Sequence, residues 1–140
     1  MVIGPLTSPK DADRIVDILV SHNNLHTPAT AREPFHLVVR DDSDVVVGGA
    51  LGWTAHCWCY VDILALVPEA RGNGEGTRLL TAVENLARSR DCIGVYLFSY
   101  SFQAPGFYER HGFTAFGQIA DLPPGHVTVW LSKRLDGDAQ

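Results

Sequence analysis

Residues 64–80, Leu-Ala-Leu-Val-Pro-Glu-Ala-Arg-Gly-Asn-Gly-Glu-Gly-Thr-Arg-Leu-Leu, run from a strand-like segment through a glycine-rich turn into a helix. Residues 63–67 are wholly apolar and rich in strand formers, and Pro68 ends this run. The apolar residues after Gly76 follow helical spacing; they are Leu79, Leu80, Val83, Leu86 and Ala87. We expect the rest of the fold to be arranged around this strand–turn–helix unit.

The turn has the composition of an anion-binding site. Arg71, Gly72, Gly74 and Gly76 bring backbone without side chains to the start of the helix. Unpaired N–H groups and the positive end of the helix dipole meet there, and both favour a phosphate. A merely structural tight turn needs about one glycine at positive φ, so three glycines and an arginine favour the anion site.

Two common phosphate motifs do not fit this turn. The glycine spacing lacks the last glycine of the dinucleotide fingerprint, and no Gly-Lys-Ser/Thr follows as in a P-loop. The turn instead resembles the Arg-x-x-Gly-x-Gly acetyl-CoA motif of the GNAT acyltransferase superfamily. Residues 106–113, Gly-Phe-Tyr-Glu-Arg-His-Gly-Phe, resemble the late Phe-Tyr-x-x-x-Gly-Phe motif of the same family.

This resemblance implies an α/β (α+β) architecture. The family fold has a mixed, mainly antiparallel central sheet of about six or seven strands, flanked by about three or four helices, with a parallel βαβ unit at the acetyl-CoA site. The length fits a single domain, which we expect over residues 1–135, followed by a polar tail at 136–140.

Local patterns predict the individual elements. Residues 2–6 suggest an opening edge strand, and Ser8, Pro9 and Asp11 form a helix start. Residues 25–34 suggest a loop or a short helical turn, and Gly48 and Gly49 predict a bulge or a close backbone approach. Further strands are expected at 35–40, 45–53, 57–67, 91–99, 113–118 and 127–132, the last with one core face, and a short helix at 105–110 that ends near Gly112.

Composition narrows the functional classes. A 46% hydrophobic and 19% charged chain is globular, and a net charge of −5 without a basic stripe argues against nucleic acid and favours a cationic substrate. The spacing of Cys57, Cys59 and Cys92 is not that of a zinc site, so we interpret them as reduced core thiols and expect no metal. With no signal-like N-terminus and no run of about 18 apolar residues, a cytoplasmic protein without membrane contact is expected.

Tyr108 is the candidate general acid. By the resemblance, the tyrosine of the late motif protonates the leaving thiolate, and a phenol is able to donate that proton. The alternative is an ordinary core aromatic. Asp62 is the candidate general base: on a regular strand it shares a face with otherwise apolar residues, where desolvation would raise its pKa. The alternative is a rim carboxylate paired with an arginine, with His56 or His126 relaying the proton.

The resemblance also implies residues that bind the cofactor. Strand backbone at Leu64, Leu66 and Val67 would bind the pantetheine arm and polarise the thioester oxygen. The asparagine that the family often has before the tyrosine is Ser101 here, so that contact would come from Ser101 or Gln103. Glu75 departs from the neutral or basic residue usual in the turn and should point away from a pyrophosphate. The remaining turn positions expected at the cofactor are Asn73, Thr77 and Arg78.

These observations predict an N-acetyltransferase. It would move an acetyl group from acetyl-CoA to a primary amine by direct transfer in a ternary complex, with no metal. The alternatives are a catalytically inactive CoA-sensing or scaffold domain and a module for another phosphate. The acceptor is left open among a small polyamine, an amino sugar antibiotic and a protein N-terminus. The absence of an extra docking segment favours a small molecule, and a homodimer stays open.

Overall fold

The computed structural model of the protein describes residues 1–28 and 31–137. Part of the predicted loop at 25–34 and the last three residues of the predicted tail lie outside the described residues. The chain divides into two compact units, residues 1–31 and the residues from Arg32 onward. The expectation of one domain over 1–135 stays a prediction.

The first unit contains helix α1, Pro9–Asn23, and its start follows from the sequence. The Ser8 hydroxyl accepts a hydrogen bond from the Lys10 N–H, and the Asp11 carboxylate accepts from the Thr7 and Ser8 N–H groups, which confirms the predicted capping. The hydrogen bond from Thr7 lowers the pKa of Asp11. The predicted edge strand at 2–6 is wrong, because these residues pair with no strand and Pro5 has no N–H to donate.

The second unit is built on one six-stranded sheet with the order β1-β2-β3-β4-β6-β5. Neighbouring strands are antiparallel except β3 and β4, which are parallel. The predicted mixed sheet is therefore confirmed. The strands are β1 Glu33–Arg40, β2 Val46–Ala55, β3 Trp58–Leu66, β4 Gly94–Tyr100, β5 Thr114–Ala120 and β6 Val127–Arg134.

Helix α2, Glu75–Ser89, connects the two parallel strands. Its periodic apolar residues Leu79, Leu80, Val83 and Ala87 are buried in the core, as the spacing predicted. Burial of each large aliphatic side chain contributes about 1.5–3 kcal/mol, so this face fixes the helix on the sheet. A short 3-10 turn, Pro68–Ala70, precedes α2, and helix α3, Pro105–Arg110, follows β4.

Glycines allow β2 to approach its neighbours closely. A Cβ on Gly48 would lie 2.4 Å from the Ala65 carbonyl oxygen, and one on Gly49 would lie 2.2 Å from the Leu37 oxygen. The close backbone approach predicted for this pair is confirmed. The register of β2 and β3 shifts elsewhere, between Leu51 and Gly52.

Strand β6 packs the predicted face, with Val129 and Leu131, on the core, but its other face is also partly covered. Leu131 is buried, but Thr128 on the alternate face is also buried, at 2% exposure. The reason is that the connection from β5 to β6 lies against this face, where Ile119 and Leu122 line a small cavity together with Thr128. The Thr128 hydroxyl donates to the Leu122 carbonyl oxygen, so its burial leaves no unpaired polar atom. No helix in the described part of the chain has the length and hydropathy needed to cross a bilayer.

Candidate active site

A cleft opens where β3 and β4 diverge. Their parallel pairing covers three residue pairs, from Trp58 opposite Gly94 to Tyr60 opposite Tyr96. Beyond Tyr60, β3 stays paired with β2 as far as Leu66, and β4 stays paired with β6 as far as Tyr100. The facing edges enclose a cleft of about 940 Å³. Main-chain groups on such edges can bind an extended amide chain by adding to the sheet.

The glycine-rich turn lies at the same cleft. Gly72 and Gly74 line it and have φ angles of 85° and 81°, which only glycine adopts without strain. A Cβ built on either residue meets nothing within 4 Å, so the space beside the turn is open to a ligand. Helix α2 begins after Gly74 without a side-chain cap, so its first-turn amides suit an anion. The predicted cradle thus fits a phosphate group.

Gly76 has a different role from the other two glycines. A Cβ there would lie 3.3 Å from the ring of Phe107. The residue therefore allows the first turn of α2 to lie against α3. This packing brings the cradle close to the helix that carries Tyr108.

Charged side chains surround the cradle. The Arg71 Nε donates to the Leu66 carbonyl oxygen at 3.0 Å, and both residues line the cleft. Glu75 forms a 2.8 Å ion pair with Arg78. Glu75 lies outside the cleft lining, as do Asn73 and Val67, while Thr77 lies within it. The acidic residue of the turn is therefore neutralised by its own helix.

Tyr108 lies in the cleft on α3. It is 8% exposed, and the rings of Phe107 and Phe113 contact it edge-on, with centroids 5.2 Å and 5.6 Å away. Burial raises the pKa of Tyr108 from 10.0 to about 12. The phenol therefore stays protonated at neutral pH, which is the state that a proton donor requires.

Asp62 also lines the cleft, but the local strand geometry differs from the expectation. Leu51 pairs with Ile63 and Gly52 with Val61, so Asp62 is the extra residue of a β-bulge rather than part of a regular strand. Its side chain is exposed, so the predicted desolvation is absent. His56 lies in the β2–β3 turn with φ 51°, not on a strand face. Of the three proposed bases, Asp62 is the one in the cleft lining.

A protein-family model agrees with this geometry. The model described as the acetyltransferase (GNAT) family matches residues 9–113. The chain belongs to the GNAT family. An acetyltransferase of Agrobacterium fabrum is 36% identical over 135 residues, covering 96% of this chain and 98% of the relative.

Two further comparisons fit a GNAT acetyltransferase. The blasticidin-S acetyltransferase of Streptomyces morookaense is 41% identical over 91 residues, which cover 64% of this chain and 67% of the relative. The crystal structure of an acetyltransferase from Bacillus cereus is 28% identical and superposes with a TM-score of 0.89, covering 96% of this chain and 99% of that one. The family and fold expected from the two motifs are therefore confirmed.

Two polar residues expected at the cofactor of this GNAT enzyme make internal hydrogen bonds. The Ser101 hydroxyl accepts from the Val127 N–H at 3.0 Å, which ties the end of β4 to β6, and Ser101 lies outside the cleft lining. Gln103 lines the cleft, and its Oε1 accepts from the Tyr100 N–H at 2.8 Å. The side-chain NH₂ group of Gln103 can thus donate to a ligand, whereas the Ser101 hydroxyl stabilises the sheet by its hydrogen bond to Val127.

Several cleft residues were not found by sequence reasoning. Arg110, on the last turn of α3, adds a second cation to the lining, and it sits within the late motif. His111, which caps the end of α3, lies outside the lining but contacts Thr77, which is part of it. Phe98, Tyr100 and Phe102 contribute aromatic rings, and the aromatic residues at every second position from 96 to 102 were the available signal.

The cysteines do not form a catalytic group. Cys59 and Cys92 are buried as expected of core thiols, but the expectation is wrong for Cys57, which lies exposed in the β2–β3 turn. None of the three is in a disulfide. Burial raises the pKa of the Cys59 thiol to about 12, which makes it a poor nucleophile. Within residues 1–28 and 31–137, no three His, Cys, Asp or Glu side chains are grouped as metal ligands. The expectation that no metal is used stays a prediction.

Proposed function

We propose that this GNAT acetyltransferase moves the acetyl group of acetyl-CoA to a primary amine of a small molecule by direct transfer in a ternary complex. The observation that carries the proposal is that one cleft is lined by the Gly72–Gly76 turn, by buried Tyr108 and by Asp62. An anion cradle, a protonated phenol and a carboxylate are the three groups that this reaction needs.

The donor substrate fits the cradle end of the cleft. The open space beside Gly72 and Gly74 suits the pyrophosphate, and the guanidinium groups of Arg71 and Arg110 add positive charge at the lining. The diverging edges of β3 and β4 suit the amides of pantetheine. The volume of about 940 Å³ lies near the upper end of the usual range of about 300–1,000 Å³ for ligand pockets.

The remaining groups account for the chemistry. The amine nitrogen attacks the thioester carbonyl carbon, the C–N bond forms and the C–S bond breaks, with its electron pair passing to sulfur. Main-chain N–H groups along β3 stabilise the developing oxyanion. The hydroxyl of Tyr108 gives its proton to the thiolate, and Asp62 accepts the proton of the amine directly or through water.

Two observations support a small cationic acceptor. The relative from Streptomyces morookaense is named for a small molecule, blasticidin-S. The net charge of −5 favours association with a cation.

A cytoplasmic location belongs to the same proposal. Cys57, Cys59 and Cys92 are all free thiols, and reducing compartments keep thiols in that state.

The test is an assay of CoA release with purified protein, acetyl-CoA and a panel of small primary amines, with mass spectrometry of the acetylated product. We expect release that depends on the amine. Acetyl-CoA binding by calorimetry without release for any amine would indicate the CoA-sensing alternative. Absence of acetyl-CoA binding would indicate a site for another phosphate compound.

A further inference from the structure

We propose that the acceptor binds against four aromatic side chains beside Asp62, and that it is a primary amine carried on a flat, apolar ring. These side chains, called the aromatic wall below, are Phe98, Tyr100, Phe102 and Trp130. The inference rests on the proposed function, because it names the substrate class for the same cleft.

The strand alternation of β4 places the wall on one face of the sheet. Val95 and Leu97 belong to the buried core that packs on α2, so Phe98 and Tyr100 lie on the opposite face. Trp130 pairs with Phe98 across β4 and β6 and lies on the same face. Tyr108 and the glycine-rich turn lie on the other face, the face that packs on α2, which is called the helical side below. A donor held on the helical side and an acceptor held on the aromatic side would meet in the gap between β3 and β4.

The rings of the wall form a continuous strip. The centroids of Phe98 and Trp130 are 5.2 Å apart, and those of Phe98 and Tyr100 are 5.5 Å apart. Tyr100 and Phe102 stack at 5.4 Å with an angle of 21° between their planes. Phe102 is 57% exposed, so the strip ends on an accessible ring. A strip of this kind binds a planar body by stacking and a cation by cation–π attraction.

Two polar groups near the wall are paired within the protein. The Thr128 hydroxyl donates to the Leu122 carbonyl oxygen. Oε1 of Gln103 is held by the Tyr100 N–H. A polyhydroxylated sugar would need such groups as partners, and leaving its hydroxyls unpaired on burial is costly. The wall therefore favours an apolar body over an amino sugar.

Asp62 and Arg71 lie at different points along the cleft, whose third charged side chain, Arg110, is on α3. Asp62 is the acid of the lining, and Arg71 is near the cradle. Asp62 precedes Leu66 by four positions on β3, which corresponds to roughly 13 Å along a strand. The Tyr60 ring stacks on that of Trp130 with centroids 6.5 Å apart, and Asp62 follows Tyr60 by two positions on β3, so the carboxylate lies close to the wall. An ammonium group is thus attracted to the wall end and a phosphate to the cradle end.

A second, smaller cavity extends the wall. It has a volume of about 100 Å³ and shares Phe98 and Tyr100 with the cleft. Ile119, Leu122 and Trp130 complete most of its apolar lining. The far edge of a ring bound to the wall would enter this cavity, which strengthens the preference for an aryl group over a linear chain.

The test compares phenethylamine, n-hexylamine and glucosamine as acceptors, with CoA release as the measurement. Phe102→Ala removes the exposed ring of the wall, and Phe116→Ala, the matched control, removes a ring on β5 that is 61% exposed and outside both cavities. We expect wild-type kcat/KM to favour phenethylamine about tenfold. Phe102→Ala should lose most of this preference, Phe116→Ala should keep it, and KM for acetyl-CoA should be the same in all three proteins.

Equal use of glucosamine or hexylamine by the wild type, or an unchanged preference in Phe102→Ala, would overturn the inference and leave the proposed function in place. A fluorescence titration with phenethylamine in the presence of CoA measures binding without acetyl transfer. It therefore tests the aromatic subsite separately from the proposed acetyltransferase activity. Saturable binding that weakens in Phe102→Ala but not in Phe116→Ala supports the subsite even where no amine releases CoA. Absence of saturable binding to the wild type counts against the subsite alone.

Discussion

The Thr77 hydroxyl oxygen lies 2.9 Å from Nε2 of His111, although the two residues are 34 positions apart. The other ring nitrogen of His111 lies 2.8 Å from the Phe107 carbonyl oxygen. A carbonyl only accepts, so Nδ1 of His111 carries a proton, and its Nε2 shares a hydrogen bond with the Thr77 hydroxyl. One imidazole thus joins the first turn of α2, at the cradle, to α3, which carries Tyr108.

This contact predicts energetic coupling between Thr77 and His111 in acetyl-CoA binding. Thr77→Val and His111→Phe should each weaken binding, and the double variant should be no weaker than about the worse single one. The coupling free energy should be about 0.5–1.5 kcal/mol, as for one hydrogen bond. Calorimetric Kd values for the four proteins of the cycle measure it. Strict additivity would show that the imidazole does not act through the Thr77 hydroxyl.

Tyr108→Phe should separate turnover from binding. Loss of the phenol removes the proposed proton donor and leaves the ring packing in place, so kcat should fall about 100-fold or more while the Kd for acetyl-CoA stays nearly constant. Tyr96→Phe makes the same chemical change on β4 outside the cleft lining and should keep wild-type kcat. Equal kcat values for the two variants would remove Tyr108 from the mechanism.

Burial of Tyr108 also predicts a pH dependence of stability. The folded protein holds this proton to a pKa of about 12, against 10.0 for the ordinary phenol. The native state therefore binds more protons between these values, and stability falls as pH rises through them. Burial also raises the pKa of Cys59 to about 12, so this thiol likewise lowers the stability of the folded protein as pH rises. Denaturant unfolding at stepped pH should show a smaller alkaline loss for Tyr108→Phe than for the wild type, and parallel curves would contradict the burial.

Local chemistry made part of the molecule predictable from sequence. The periodic leucines of α2 and the glycines of the turn act within a few residues, so the helix and the turn before it were predictable from residues 64–80. The cap of α1 is equally local, because Ser8 and Asp11 bond to backbone within four positions. Predictions of this kind depend on no knowledge of distant partners.

The features that sequence reasoning missed depend on pairing between distant segments. The bulge at Asp62 comes from the register of β3 against β2, and burial of Thr128 comes from its contact with Leu122 in the β5–β6 connection. The segment 2–6 has strand-like residues but no partner strand, and local pattern does not reveal this. The contact between Thr77 and His111 likewise depends on how two helices pack.

Two glycines with the same backbone conformation provide a matched test of the cradle. Gly74 and Gly125 both have a φ of 81°, and a Cβ on either meets nothing within 4 Å. Replacement by glutamate should therefore cost each fold a similar strain of roughly 1–2 kcal/mol. Only Gly74→Glu puts a carboxylate at the proposed pyrophosphate site, so it should abolish acetyl-CoA binding, whereas Gly125→Glu should bind like the wild type. Calorimetry with thermal melting separates binding from folding, and retained binding in Gly74→Glu would place the cofactor elsewhere.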